Sequence, residues 1–94
     1  MKNLQKLIDI CEAYKTGDFA VEEFQHRIET VYLPDECKHT LEIIQHNTCN
    51  CLEAIIYSYA EAEHKKYAEK VADDLIQATL LEQERLKDYR PYKQ

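Results

Sequence analysis

The chain has 94 residues, 45% of them apolar and 32% charged, with one Gly, two Pro and no Trp. That length makes a single domain, 1–94, with the composition of a folded globule rather than a disordered segment. A net charge of −6 argues against nucleic acid or an anionic membrane as a direct partner, because both recruit cationic surfaces.

No apolar run approaches a membrane span of about 18 residues, and Met1-Lys2-Asn3 leads into no secretory apolar core. The expected compartment is therefore the cytoplasm, where Cys11, Cys37, Cys49 and Cys51 stay reduced thiols. Scarce Gly and Pro point to a few long elements, which means helices.

Leu4, Leu7, Ile8, Cys11 and Tyr14 share one helical face, giving a first helix over 4–15. Asn3 is its expected N-cap, and Gly17 its left-handed C′ residue. With Ala20 as N-cap, Phe19 and Phe24 flank the start of a second helix at staple spacing, and Glu23 sits at N3. Val21, Phe24, Ile28 and Val31 form its inner stripe. Glu22 and Glu29 point outward, and Glu23 pairs with Arg27 at i, i+4. The helix ends before Pro34. Pro34, Asp35 and Glu36 suit the opening turn of a third helix, read as one element over 35–58. Its predicted stripe is Cys37, Leu41, Ile44, Thr48, Cys51 and Ile55, with room for a kink at the weak helix formers Asn47–Asn50. A reversal is expected within "SYAEAEH". The last helix, over 63–87, turns Ala68, Val71, Leu75 and Ala78 inward, widened by Ala72, Ile76 and Leu81. Residues 85–94 read as a frayed basic tail. Four amphipathic helices with short links make an all-α, antiparallel four-helix bundle.

The stretch "HNTCNC", His46 to Cys51, has the look of a metal or redox site. On a helix, however, Cys49 and Cys51 point about 200° apart and cannot grip one ion. No Cys-x-x-Cys or His-x-x-x-His spacing occurs. Periodicity assigns Cys51 to the core, where a thiol packs as a small hydrophobe. The Glu-x-x-His spacing of a di-metal bundle occurs once, Glu23 to His26, where two pairs are needed. His26, His39 and His64 fall on predicted outer faces. One glycine excludes a phosphate-binding loop, and no nucleophile elbow is present. No catalytic set, metal or cofactor is expected.

Surface chemistry remains. Between Asp18 and Glu36 six acids face Arg27 alone, whereas Arg85, Lys87, Arg90 and Lys93 face only Asp88 towards the C-terminus. Such charge asymmetry speaks of partners. Seven tyrosines, at 14, 32, 57, 59, 67, 89 and 92, suit a protein interface or the capping of the bundle ends. Tyr57 and Tyr59, two apart, cannot both be buried against one neighbour.

Over "YKTGDFAVEEFQHRI" the chain resembles the bacterial colicin-like self-protective immunity proteins. The resemblance rests on Gly17, Asp18, Phe19, Glu22, Glu23 and Phe24, and beyond them on helix layout; Ala20 departs from the Ser or Thr expected as N-cap. It implies a small helical inhibitor that binds a cognate toxin domain, often a nuclease with a cationic active site, and blocks substrate access. An acidic exterior fits that role, with carboxylates in place of phosphates. The expected toxin-binding residues are Asp18, Glu22, Glu29, Asp35 and Glu36, with Tyr32 as an aromatic anchor. The alternative is a regulatory or adaptor bundle, self-associating through an apolar interface along the third and fourth helices, although no motif indicates a homo-oligomer.

Overall fold

In the computed structural model, residues 2–88 are described, with side chains described over 4–86. Helices α1 (Lys2–Lys15), α2 (Val21–Glu29), α3 (Leu41–Ser58) and α4 (Glu61–Asp88) form the bundle, with one 3-10 turn at Asp35–Cys37. Each helix packs on its neighbours in a ring: α1 on α2 and α4, α3 on α2 and α4. The ion pair Lys15–Asp73 joins α1 to α4, Gln25–Cys49 joins α2 to α3 and Thr40–Glu82 joins the start of α3 to the end of α4, while the short links between successive helices run them up-down-up-down.

α1 ends where a glycine permits it. Gly17 has φ +90°, and Asp18 N–H donates to Ala13 O while Gly17 N–H donates to Tyr14 O. This is the Schellman pattern, which satisfies the last carbonyls of the helix. Lys65 Nζ donates to the carbonyls of Tyr14 and Lys15, placing a cation at the negative end of α1. α1 starts at Lys2, so Asn3 lies within the helix and not ahead of it.

At α2, Ala20 is the N-cap and makes no side-chain bond. Phe24 is fully buried and stacks on Tyr14 at 4.4 Å, while Phe19 lies 6.3 Å from the same Tyr14 ring. The staple therefore closes through an aromatic cluster, and the Arg27 guanidinium covers Phe19 at 4.5 Å. The C-terminus of α2 is held from α3. The buried Gln45 amide donates to Ile28 O and Val31 O at 2.8 and 2.9 Å.

The expected single helix over 35–58 is two elements. After Pro34, bonds run i to i+3, from Cys37 N to Pro34 O, Lys38 N to Asp35 O and Thr40 N to Cys37 O. This tight turn brings Cys37 inward, fully buried, before α3 begins at Leu41. α3 then continues without interruption through Asn47–Asn50. Its buried face is Leu41, Gln45, Thr48, Cys49, Leu52 and Ile55, rotated from the expected stripe. Ile44 is 38% exposed and Cys51 is exposed, which corrects the assignment of both to the core. The reason is geometric: α3 faces α2 and α4 together, so its inner face lies between those two directions.

The reversal falls at Tyr59–Ala60, two residues into the expected segment. Tyr59 stacks on Tyr67 across it at 4.2 Å, and Tyr57 stays exposed. His64 is buried, not superficial, and Nε2 donates to Tyr59 O at 2.9 Å, tying the turn. In α4 the inner face is Ala68, Ala72, Leu75, Ile76, Thr79 and Glu82; Leu81 is 71% exposed, against expectation.

Arg85, expected in a frayed tail, is part of α4 and of its strongest polar cluster. It donates from Nε and an amino group to both oxygens of buried Glu82, and from the same amino group to Glu36 O. Glu82 also accepts from Thr40 Oγ1 at 2.7 Å and from the Cys37 thiol. Bonds from Arg85, then from Thr40 and Cys37, overcome burial and hold the Glu82 carboxyl down at about 2. The cluster fastens the 3-10 turn to α4. The remainder of the expected tail, 89–94, with Tyr89 and Tyr92, lies outside the described residues.

Candidate functional site

The residues singled out for charge are spread along the bundle. Asp18 follows the Schellman glycine, and Glu22 lies in the first turn of α2, both exposed. Glu29 ends α2. Tyr32, 80% exposed, lies in the link to the 3-10 turn that carries exposed Asp35 and Glu36. Antiparallel packing places Asp18 and Glu22 at one end of the bundle and Asp35 and Glu36 at the other. These six residues form no single cluster.

What they share is electrostatic. Among the described residues, no Lys, Arg or His nitrogen lies within 4.0 Å of the carboxylates of Asp18, Glu22, Glu29, Asp35 or Glu36. Only Glu23 in this segment is paired, to Arg27 at 2.8 Å. Their charges therefore face solvent, and little of the segment's negative potential is cancelled locally.

Glu29 belongs to a more organised feature that sequence reasoning missed. A groove of about 460 Å³ runs between α2 and α3, bearing the carboxylates of Glu29, Glu42 and Glu53 together with His46, and no Lys or Arg lines it. Its floor is braced by a reciprocal pair: Gln25 Nε2 donates to Cys49 O at 3.2 Å, and the Cys49 thiol points at Gln25 O at 3.9 Å. Burial, and then the Glu29 charge, push the Cys49 thiol up to about 11, so it stays protonated at neutral pH. Ile43, 52% exposed, supplies an apolar wall. Such a cleft suits a guanidinium or ammonium side chain with an aliphatic stem. The signal was in the sequence: Glu42, His46, Cys49 and Glu53 recur at i, i+4, i+7 and i+11, one face of α3.

A second hollow, about 390 Å³, lies at the α1–α2 turn, with Glu22 and Glu61 opposite Lys65 and buried His64. Lys65 is already engaged with the end of α1, so this hollow carries structural bonds. Among the described residues, no three His, Cys, Asp or Glu side chains are arranged to hold a metal ion. His46 lies exposed on α3, with Cys49 buried and Cys51 on another face. No helix is long and apolar enough to cross a membrane among the described residues. No family model, curated protein or solved structure matches this chain.

Proposed function

We propose that this protein is an immunity-type inhibitor that occupies the cationic cleft of a toxin domain, a nuclease by preference, and keeps substrate out. The carrying observation is the α2–α3 groove, three carboxylates with no cation lining it, continuous in sign with the uncompensated Asp18, Glu22, Asp35 and Glu36. Opposed potentials of this kind raise association rates, while anchors such as Tyr32 and Ile43 set dissociation. The likeness of the Gly17–Phe24 segment to immunity proteins supplies the class of partner.

The test pairs the protein with the toxin domain encoded beside it. Co-expression is expected to relieve toxicity, and the purified pair to form a complex that weakens as salt rises. Glu22→Lys with Glu29→Lys is expected to weaken binding at least about tenfold while leaving helicity intact, since both side chains are exposed. Absence of both the salt-sensitive complex and the rescue would falsify the proposal. A regulatory or adaptor bundle is the reading favoured by one other observation, the apolar surface between α3 and α4. Partner binding through that surface alone selects it.

A further inference from the structure

α3 carries only two charged residues besides His46, Glu42 and Glu53, and both lie in the α2–α3 groove. The opposite flank of α3, against α4, has none. There, two hollows of about 190 and 400 Å³ share Cys51, Val71 and Asp74 and form one groove along the helix pair. Its walls follow heptad spacing: Ile44, Asn47, Cys51, Ala54 and Ser58 on α3, and Tyr67, Val71 and Asp74 on α4. An apolar face is patterned for burial, yet this flank leaves Ile44 and Tyr59 38% and 43% exposed, with Cys51 and Ala54 exposed between them.

We infer that this groove receives a second copy of the same chain, giving a two-fold dimer with α3 and α4 at its centre and Cys51 near the axis. Charge identifies the occupant. The groove's only ionised side chains are Lys70 and Asp74, so it is neutral on a molecule of net charge −6. Two such molecules meet here without opposing like charges, whereas a cationic partner is drawn to the α2–α3 side. A two-fold contact is self-complementary: Lys70 of each copy meets Asp74 of the other, twice. Within one chain these two are only 4.0 Å apart and 80% and 71% exposed, a weak pair free to exchange. Cys51, Ala54 and Ser58 are small enough for helices to pack at an interaxial distance of about 8–10 Å. The inference stands independently of toxin binding.

Sedimentation equilibrium of the full chain, from low micromolar to submillimolar concentration, is expected to show monomer–dimer exchange. Cys51→Arg, at an exposed position, is expected to weaken dimerisation at least about tenfold with helicity unchanged, and Ile43→Arg on the other groove to leave it unaltered. Lys70→Glu is expected to weaken it too, and adding Asp74→Lys to restore it. A short bismaleimide is expected to link Cys51 to Cys51, the other three thiols being buried. A monomer at every concentration, a dimer indifferent to Cys51→Arg, or failure of the charge swap to restore association overturns the inference.

Discussion

Replacing Glu82 by Gln isolates the cluster that binds the 3-10 turn to α4. The substitution keeps the shape and leaves an acceptor for Thr40 and Arg85, but removes the charge that Arg85, Thr40 and Cys37 all serve. A hydrogen bond to an ionised group contributes about 1 kcal/mol more than a neutral one, so the two bonds from Arg85 and the one from Thr40 set a ceiling of roughly 3 kcal/mol. Arg85 stands at the solvent edge, its side chain 45% exposed, which lowers the expected loss to about 2 kcal/mol. For a domain of this size that is a fall in Tm of roughly 8–16 °C. Dependence on pH separates charge from shape. Folding depresses the Glu82 pKa from 4.5 to about 2, so its stabilisation is complete above pH 4.5 and fades as pH falls towards 2. The gap between wild type and Glu82→Gln should therefore be widest near neutrality and narrow through that window. Urea unfolding followed by circular dichroism at pH 7 and pH 3 measures both. Equal stabilities at pH 7, or a gap that does not narrow in acid, would mean that the Glu82 charge does not hold the turn.

Gly17→Ala is expected to cost about 1 kcal/mol through backbone strain alone; φ is +90° and nothing lies within 4 Å of the added carbon. A urea midpoint at or above that of wild type contradicts it. Gln45→Leu keeps much of the volume but strips Val31 O of its donor and leaves Ile28 O with the Val31 N–H alone, for an expected loss of roughly 2 kcal/mol. An unchanged midpoint would show that water replaces the amide. In dilute native protein, a charged thiol reagent should modify Cys51 rapidly and the other three only on unfolding. Burial, chief among the causes, pushes Cys11 and Cys37 up to about 12 and Cys49 to about 11, so thiolate is scarce there. Mass spectrometry showing two or more fast-reacting thiols would contradict that assignment.

Helix count, order and the α1–α2 junction were legible because they follow from local chemistry. Gly17 is the chain's one glycine, the residue best suited to a left-handed cap, and Phe19 and Phe24 bracket a helix start whichever partner they meet. Misreadings cluster where tertiary bonds override period. Arg85 reads as part of a frayed tail until Glu82, three residues before it, is seen to be buried with Thr40 and Cys37, which lie up to 45 positions away in sequence. His64 looks exposed among charged neighbours until Tyr59 O fills its ring nitrogen. Neither bond follows from the residues beside it.

The assignment of Ile44 and Cys51 to the core is the most instructive error, because the period behind it is genuine. Two apolar faces are written into α3: one through Leu41, Gln45, Thr48, Leu52 and Ile55, and another through Ile44, Cys51 and Ala54. A four-helix ring offers α3 only two neighbours, so the first face is filled and the second opens on the α4 side. The acidic side of the same helix was overlooked for the complementary reason. Glu42 and Glu53 stand outside the acid-rich segment Asp18–Glu36, and only the approach of α2 joins them to Glu29. Charge counted along the chain finds the sign of a surface, but a groove belongs to two elements at once. On the two proposals above, α3 would divide its outer surface between two kinds of partner, a cationic one beside α2 and a neutral, apolar one beside α4. The substitutions Glu29→Lys and Cys51→Arg, one on each side, should therefore act on different associations.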